Sequence, residues 1–328
     1  MNKRLQAGTL NLETARVCMD VFFVKLRRLR RQERPQHIRD AQIGSLTLNW
    51  LWLNSSRWAT AVTTDTHFQR LLAYFAVAEG QEDLLVKSLA KPFERQVART
   101  IDHHHQWRGS LLRNLVAAQL MLQCDEKADD AINLFFRIGD LVKEARQQKS
   151  SFELASCNLW PAEVELGKAL GTGLYPKTST NLYERFLEAA KTDSDEFTLA
   201  KLGVCHPARP DPQPALLFIQ RSLGNLSRTE FLSHFPPASK HREAIYFLMR
   251  RAETVLRTRG REGDANTIQD LLPVLLDQQD IDWLEEKFQM QVRTMDKVSR
   301  KSHAPNRNLQ PPPQAGNGPL RLWRRIAT

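Results

Sequence analysis

Cysteine is scarce in this chain. The four in 328 residues, Cys18, Cys124, Cys157 and Cys205, lie far apart, so none forms the CxxC spacing of a zinc site or redox motif. Isolated cysteines of this kind read as reduced thiols of an intracellular protein. Glycine (14) and proline (16) are sparse too, and the prolines cluster, which leaves long stretches free to be helical. No run approaches the ~20 apolar residues that a membrane helix needs. The most apolar N-terminal piece, residues 17–24, is short and carries Asp20, which argues against a secretory signal. Walker loops, GxGxxG, GxSxG, HExxH and EF-hand patterns are all missing. These absences leave no catalytic residue, cofactor-binding residue or metal ligand to nominate, and a non-catalytic protein without a cofactor is the expectation.

Charge is present, but unevenly. Of the net +10, residues 1–34 carry +6 (nine Lys/Arg, three acids) and residues 293–328 carry +7 (eight against one), leaving −3 for residues 35–292. A phosphate-binding groove along the body is therefore disfavoured, and any nucleic-acid contact is expected through the basic ends. Residues 11–34 predict a helix closed by Pro35, with Val17, Cys18, Val21, Phe22 and Leu29 on one side and Arg27, Arg28, Arg30 and Arg31 at the end. Read functionally, it is a mitochondrial targeting helix or an arm for an acidic surface. Glu13, Asp20, Glu33 and the lack of serine before residue 45 weigh against targeting. Cytoplasmic and mitochondrial locations both stay open.

At 41% hydrophobic residues the chain can build a sizeable core. Its most legible stretch is 108–149, where two amphipathic segments flank the acidic turn at 124–127. Leu111, Leu112, Leu115, Ala118 and Leu122 recur at helical steps in the first segment. Ala131, Leu134, Phe135, Ile138, Leu141, Val142 and Ala145 do so in the second. Residues 65–80 predict a helix capped by Asp65 or Thr66 and ended by Gly80, with 81–90 as its partner. Further helices are predicted at 158–169, 180–190, 215–223, 227–235, 239–259, from Asp264 onward, and at 280–292. The tryptophan-rich stretch 40–64 (Trp50, Trp52, Trp58) reads as a buried helix rather than a stacking platform. His103, His104 and His105 are adjacent and so point in different directions, which argues against a shared metal. The proline-rich break at 205–214 marks a possible subdivision.

Consecutive hairpins with Ala131-Ile132-Asn133-Leu134-Phe135 in a second helix, and Leu71-Leu72-Ala73-Tyr74-Phe75 before Gly80 in a first, resemble tetratricopeptide and pentatricopeptide repeat proteins. The resemblance covers residues 65–149, with a weaker echo at 243–277. It implies an all-α chain of stacked antiparallel helical hairpins, an α-solenoid or superhelix. Hairpins starting near 65, 108, 158, 212 and 239 are unevenly spaced against the ~34-residue period of those families. The expected organisation is a basic N-terminal helix or arm (1–34), a helical repeat-like body (35–292) and a disordered, basic, proline-rich tail (293–328).

Three functions follow from these features. A protein–protein interaction scaffold or adaptor fits stacked hairpins without catalytic motifs. An RNA- or nucleic-acid-associated protein, gripping phosphate through its basic ends, is the alternative. A Mg²⁺-dependent all-α enzyme rests on Asp125, Glu126, Asp129 and Asp130, whose Asp129-Asp130-x-x-Asn133 pattern resembles the aspartate-rich motif of terpene synthases.

Overall fold

The computed structural model describes residues 11–30, 33–53, 65–90, 106–123, 125–149, 151–236 and 239–302, with the backbone alone at 152 and 294–302. Among these residues the secondary structure is helical, with no strand. Helix α1 is Leu12–Arg27, α2 Arg34–Ala41, α3 Ile43–Leu53, α4 Thr66–Ala78 and α5 Glu82–Ser88. Then come α6 (Gln106–Leu122), α7 (Asp129–Gln148), the single turn α8 (Phe152–Ala155), α9 (Trp160–Leu170), α10 (Thr180–Asp193) and α11 (Glu196–Val204). Next are α12 (Gln213–Phe218), a π-helical turn Ile219–Leu223, α13 (Arg228–His234), α14 (Lys240–Thr258), α15 (Glu262–Leu275) and α16 (Gln278–Ser302). The chain divides into two compact units, Met1–Glu286 and Lys287–Thr328. All packing described below lies in the first.

Helix α6 is the hub. It buries residues around most of its circumference, from Trp107 and Leu111 through Leu115 and Val116 to Leu120. A helix apolar on all sides must be covered on all sides. Accordingly α6 packs on α4, on α7 and on α9. Gly109 permits one of these approaches: a Cβ there would sit 2.6 Å from the Asn158 carbonyl oxygen. Packing continues from α9 to α11 and from α11 to α14, while α7 also packs on α10. One apolar core runs from Ala15 of α1 to Leu202 of α11.

Several helix starts obey local rules. Asp65 accepts from Phe68 N (2.8 Å), Asp195 from Thr198 N (2.6 Å) and Ser239 from Arg242 N (3.1 Å), and Ser227 with Glu230 forms the expected capping box. Others borrow a cap from elsewhere. The Glu79 carboxylate, just past the end of α4, accepts from Gly44 N (2.7 Å), Ser45 N (2.6 Å) and Ser45 Oγ (2.6 Å) at the start of α3. Thr178 Oγ1, in the loop before α10, accepts from Ala128 N (3.0 Å) at the start of α7.

The structure corrects several expectations. Helix α1 ends at Arg27, and Pro35 opens α2 instead of closing α1, since proline is tolerated in a first turn. The buried face of α1 is Ala15, Met19 and Leu26, whereas Val17 and Val21 are 48% and 51% exposed. Helix α4 packs more extensively on α6 than on its expected partner α5. In 239–259 the helical steps place Ala244, Phe247, Leu248 and Val255 inward; the structure buries Ile245, Tyr246, Leu248, Met249, Ala252 and Leu256 and leaves Ala244, Phe247 and Val255 only partly buried. Leu141, expected inward, is exposed, and so is Trp283, which the pattern of 280–292 places beside Leu284 and Phe288. Asp264 does not cap α15, which starts at Glu262; its carboxylate accepts from Arg261 Nε (2.7 Å). Helix α11 was not foreseen. Residues 293–302, assigned to a disordered tail, continue α16 as helix, and the rest of that tail lies outside the described residues. Across the proline-rich break, α11 packs directly on α12.

Candidate functional site: a cleft between helices α1, α4 and α6

The four carboxylates near the start of α7 diverge to separate partners. Asp125 pairs with Lys127 (3.6 Å), Glu126 with Lys177 (3.5 Å), Asp129 accepts from Ser179 N (2.8 Å) and Asp130 from Gln123 Nε2 (2.9 Å). Glu126, Asp129 and Thr178 fasten the α6–α7 turn to the segment leading into α10. Among the described residues no group of three His, Cys, Asp or Glu side chains is arranged to hold a metal ion. The histidines at 103–105, Cys124 and Trp58 lie outside the described residues. Trp50 is buried and Trp52 is 40% exposed.

Cys157 and Cys205 are not poised for reaction. Burial pushes the Cys157 thiol up to about 11, against the opposing pull of Arg108 and Arg146. Cys205 donates to the Gly171 carbonyl (3.4 Å) and receives Arg251 Nη1 at 2.9 Å; burial raises its pKa despite that cation. Both environments favour the thiol over the nucleophilic thiolate.

A concavity of about 270 Å³ opens where α1 crosses α4 and α6. Its floor is apolar and fixed. Leu71, Tyr74 and Ala118 are nearly or fully buried, and Phe23 meets the Tyr74 ring edge-on at 5.0 Å. Asn114, which also lines the concavity, donates through Nδ2 to Gln69 Oε1 (3.3 Å), a buried polar pair that ties α6 to α4. Val24 from α1 and Met121 from α6 form the walls, both more than one-third exposed. At the mouth sit Arg27, Arg70 and a His67–Asp20 pair, Nε2 to Oδ1 2.7 Å.

The position of α1 over this cleft is set by contacts on both sides of its axis. Met19 and Leu26 are buried and Phe22 lies against Phe75 (centroids 5.8 Å). Arg16 bridges to Asp65 (3.3 Å), and the Asp20–His67 pair adds a second polar tie to α4. What α1 does not bury is equally regular. Val17, Val21 and Val24, at steps of four and three residues, are 48%, 51% and 52% exposed. They form an outward apolar stripe on a helix whose other apolar face is already used. Val24 joins this stripe to the cleft.

No serine, threonine, cysteine or lysine is among the residues lining the concavity. No protein-family model, curated protein or solved structure matches this chain. The reading therefore rests on the residues themselves. Sequence reasoning missed the cleft because it joins positions about 50 residues apart in the chain, Asp20 to His67 and Leu71 to Ala118. The surplus of apolar residues on 12–27, too many for one face, was the available signal.

Proposed function

We propose that this protein is a non-catalytic helical adaptor whose docking surface is the outer face of α1 together with the cleft beneath it. The occupant is an amphipathic helix of a partner protein, apolar on one side and acidic at its border. The observation that carries the reading is the outward stripe of Val17, Val21 and Val24 leading into a concavity with an apolar floor. Helix-in-groove recognition uses such i, i+4, i+7 anchors. Charge supports an acidic partner. Arg27 and Arg70 at the mouth are exposed and make no ion pair among the described residues, and Lys25 and Arg28 lie nearby on α1 and its end. The acids of α1 are engaged locally, Glu13 by Arg16 (2.8 Å) and Asp20 by His67 (2.7 Å).

In this reading the successive contacts α4–α6, α6–α9, α9–α11 and α11–α14 are layers of an α-solenoid, and α1 packs on α4 in the first of them.

The test is site-specific photo-crosslinking in cells with a benzophenone side chain placed at Val21, and at the exposed Thr254 of α14 as the control. A discrete adduct at Val21, absent at Thr254 and mapping to an acidic amphipathic helix, is the expected result. No adduct at Val21, equal adducts at both positions, or an adduct with RNA would overturn the proposal.

A further inference from the structure

We infer that the cleft selects its partner helix by one large apolar side chain with an acidic residue one turn away on the same face. This rests on the docking role of α1 and names what that site reads. The concavity, at about 270 Å³, falls just below the roughly 300–1,000 Å³ typical of small-molecule and cofactor pockets. It suits a protruding side chain in preference to a cofactor. Its floor of Leu71, Tyr74 and Ala118 is held by packing and by the bond from the lining Asn114 to Gln69, so the shape is preorganised.

Polarity at the mouth supplies the second half of the code. Arg27 and Arg70 are exposed cations without an ion-pair partner among the described residues, while the acid present, Asp20, is occupied by His67. On a docked helix, residues three or four apart lie about 5–6 Å from each other. An apolar anchor in the cleft therefore brings a carboxylate at i+3 or i+4 to the rim, where a guanidinium can take both of its oxygens. Phosphate of a nucleic acid would meet the two cations but leave the apolar floor unfilled. A flat bilayer surface cannot enter the concavity. Both become outcomes of the test.

The probe is a displayed library built on a fixed helical scaffold with one randomised face, selected on the full chain alone and then assayed on Ala117→Phe. Ala117 is half-buried on the cleft wall, and phenylalanine there fills the space. Met121→Glu serves as the second blocking variant, with thermal melts to verify that both fold. Selected helices are expected to carry Leu, Ile, Phe or Met followed at i+3 or i+4 by Asp or Glu. Their affinity should fall by about tenfold or more on either blocking variant and on Arg70→Glu. An Asp/Glu to Lys exchange in the probe should recover binding to Arg70→Glu. Probes that bind both blocking variants like the wild type but lose Val21→Ser overturn the anchor and leave the α1 docking face standing. Probes indifferent to Val21→Ser as well, or displaced stoichiometrically by a single-stranded RNA or by anionic phosphatidylserine vesicles, overturn both.

Discussion

Glu79 lies beyond the last turn of α4 yet caps a different helix. Its two oxygens accept three bonds from Gly44 and Ser45 at the start of α3. Replacing it with glutamine keeps one acceptor and turns the other into a donor facing N–H groups. The expected cost is about 1–2 kcal/mol of folding stability, read by chemical denaturation. Gly109 is a second single-residue constraint. Gly109→Ala should gain about 1 kcal/mol of helix propensity but place a methyl 2.6 Å from a backbone oxygen that cannot rotate away. Overpacking of this kind costs roughly 1–3 kcal/mol, so a net loss is expected. Glu163 works in the opposite sense. It is 7% exposed, accepts from Ser194 Oγ at 3.0 Å, and burial raises its pKa above the ordinary value, with Asp193 adding to the shift. A raised carboxylate pKa means the ionised form is disfavoured in the fold, so Glu163 costs stability above its folded pKa and costs nothing once both states are protonated. Glu163→Gln, which still accepts from Ser194, should raise the melting temperature at pH 7. Its advantage should fade as pH falls from 7 towards the ordinary carboxylate pKa of about 4.3 and be gone below it. An advantage that persists unchanged at low pH would contradict this account.

At the level of the helices, the sequence is a good guide to where they are and a poorer one to which way they face. Capping residues such as Asp65, Ser227 and Ser239 mark their helices in the chain itself. The starts of α3 and α7 carry no such signal, because Glu79 and Thr178 come from distant segments. Faces fail where a helix has more apolar residues than one side can hold. In α1, periodicity assigns Val17 and Val21 inward, and the fold instead buries Ala15, Met19 and Leu26. In α14 the charged Arg242 and Glu253 occupy buried positions, which shifts the apparent stripe. There Arg242 pairs with Asp280 of α16, and Arg250 with Glu253 and with Glu285 (2.9 Å), whose carboxylate also accepts from Tyr246 Oη (2.6 Å). Breaking this pairing should be expensive. Asp280→Ala removes the carboxylate bonded to the buried Arg242 guanidinium, leaving only the field of Asp277, and is expected to cost about 3 kcal/mol. By contrast, changing Val17, Val21 and Val24 together to serine should shift stability by no more than roughly 1 kcal/mol, because these side chains already face solvent. That contrast separates residues that hold the helices together from those available to a partner.

From α1 to α11 one continuous core uses most of the apolar stripes, and the outer face of α1 is an exception beside a cleft. The cleft was not visible in the sequence, because its walls come from helices separated by long connections. The basic character of residues 1–34 was visible, and part of it is spent inside the fold. Arg16 reaches Asp65, and Arg34 donates to the carbonyls of Leu29 and Arg27. Arg27 and Arg70 remain for an acidic neighbour. The most direct measurement of the docking claim is hydrogen–deuterium exchange on the full chain with and without a synthetic acidic amphipathic helix bearing a single leucine anchor. Slower exchange in α1, α4 and α6, with α14 and α15 unchanged, is the expected result. Exchange that is unaltered in α1, or slowed only in helices remote from the cleft, would contradict it.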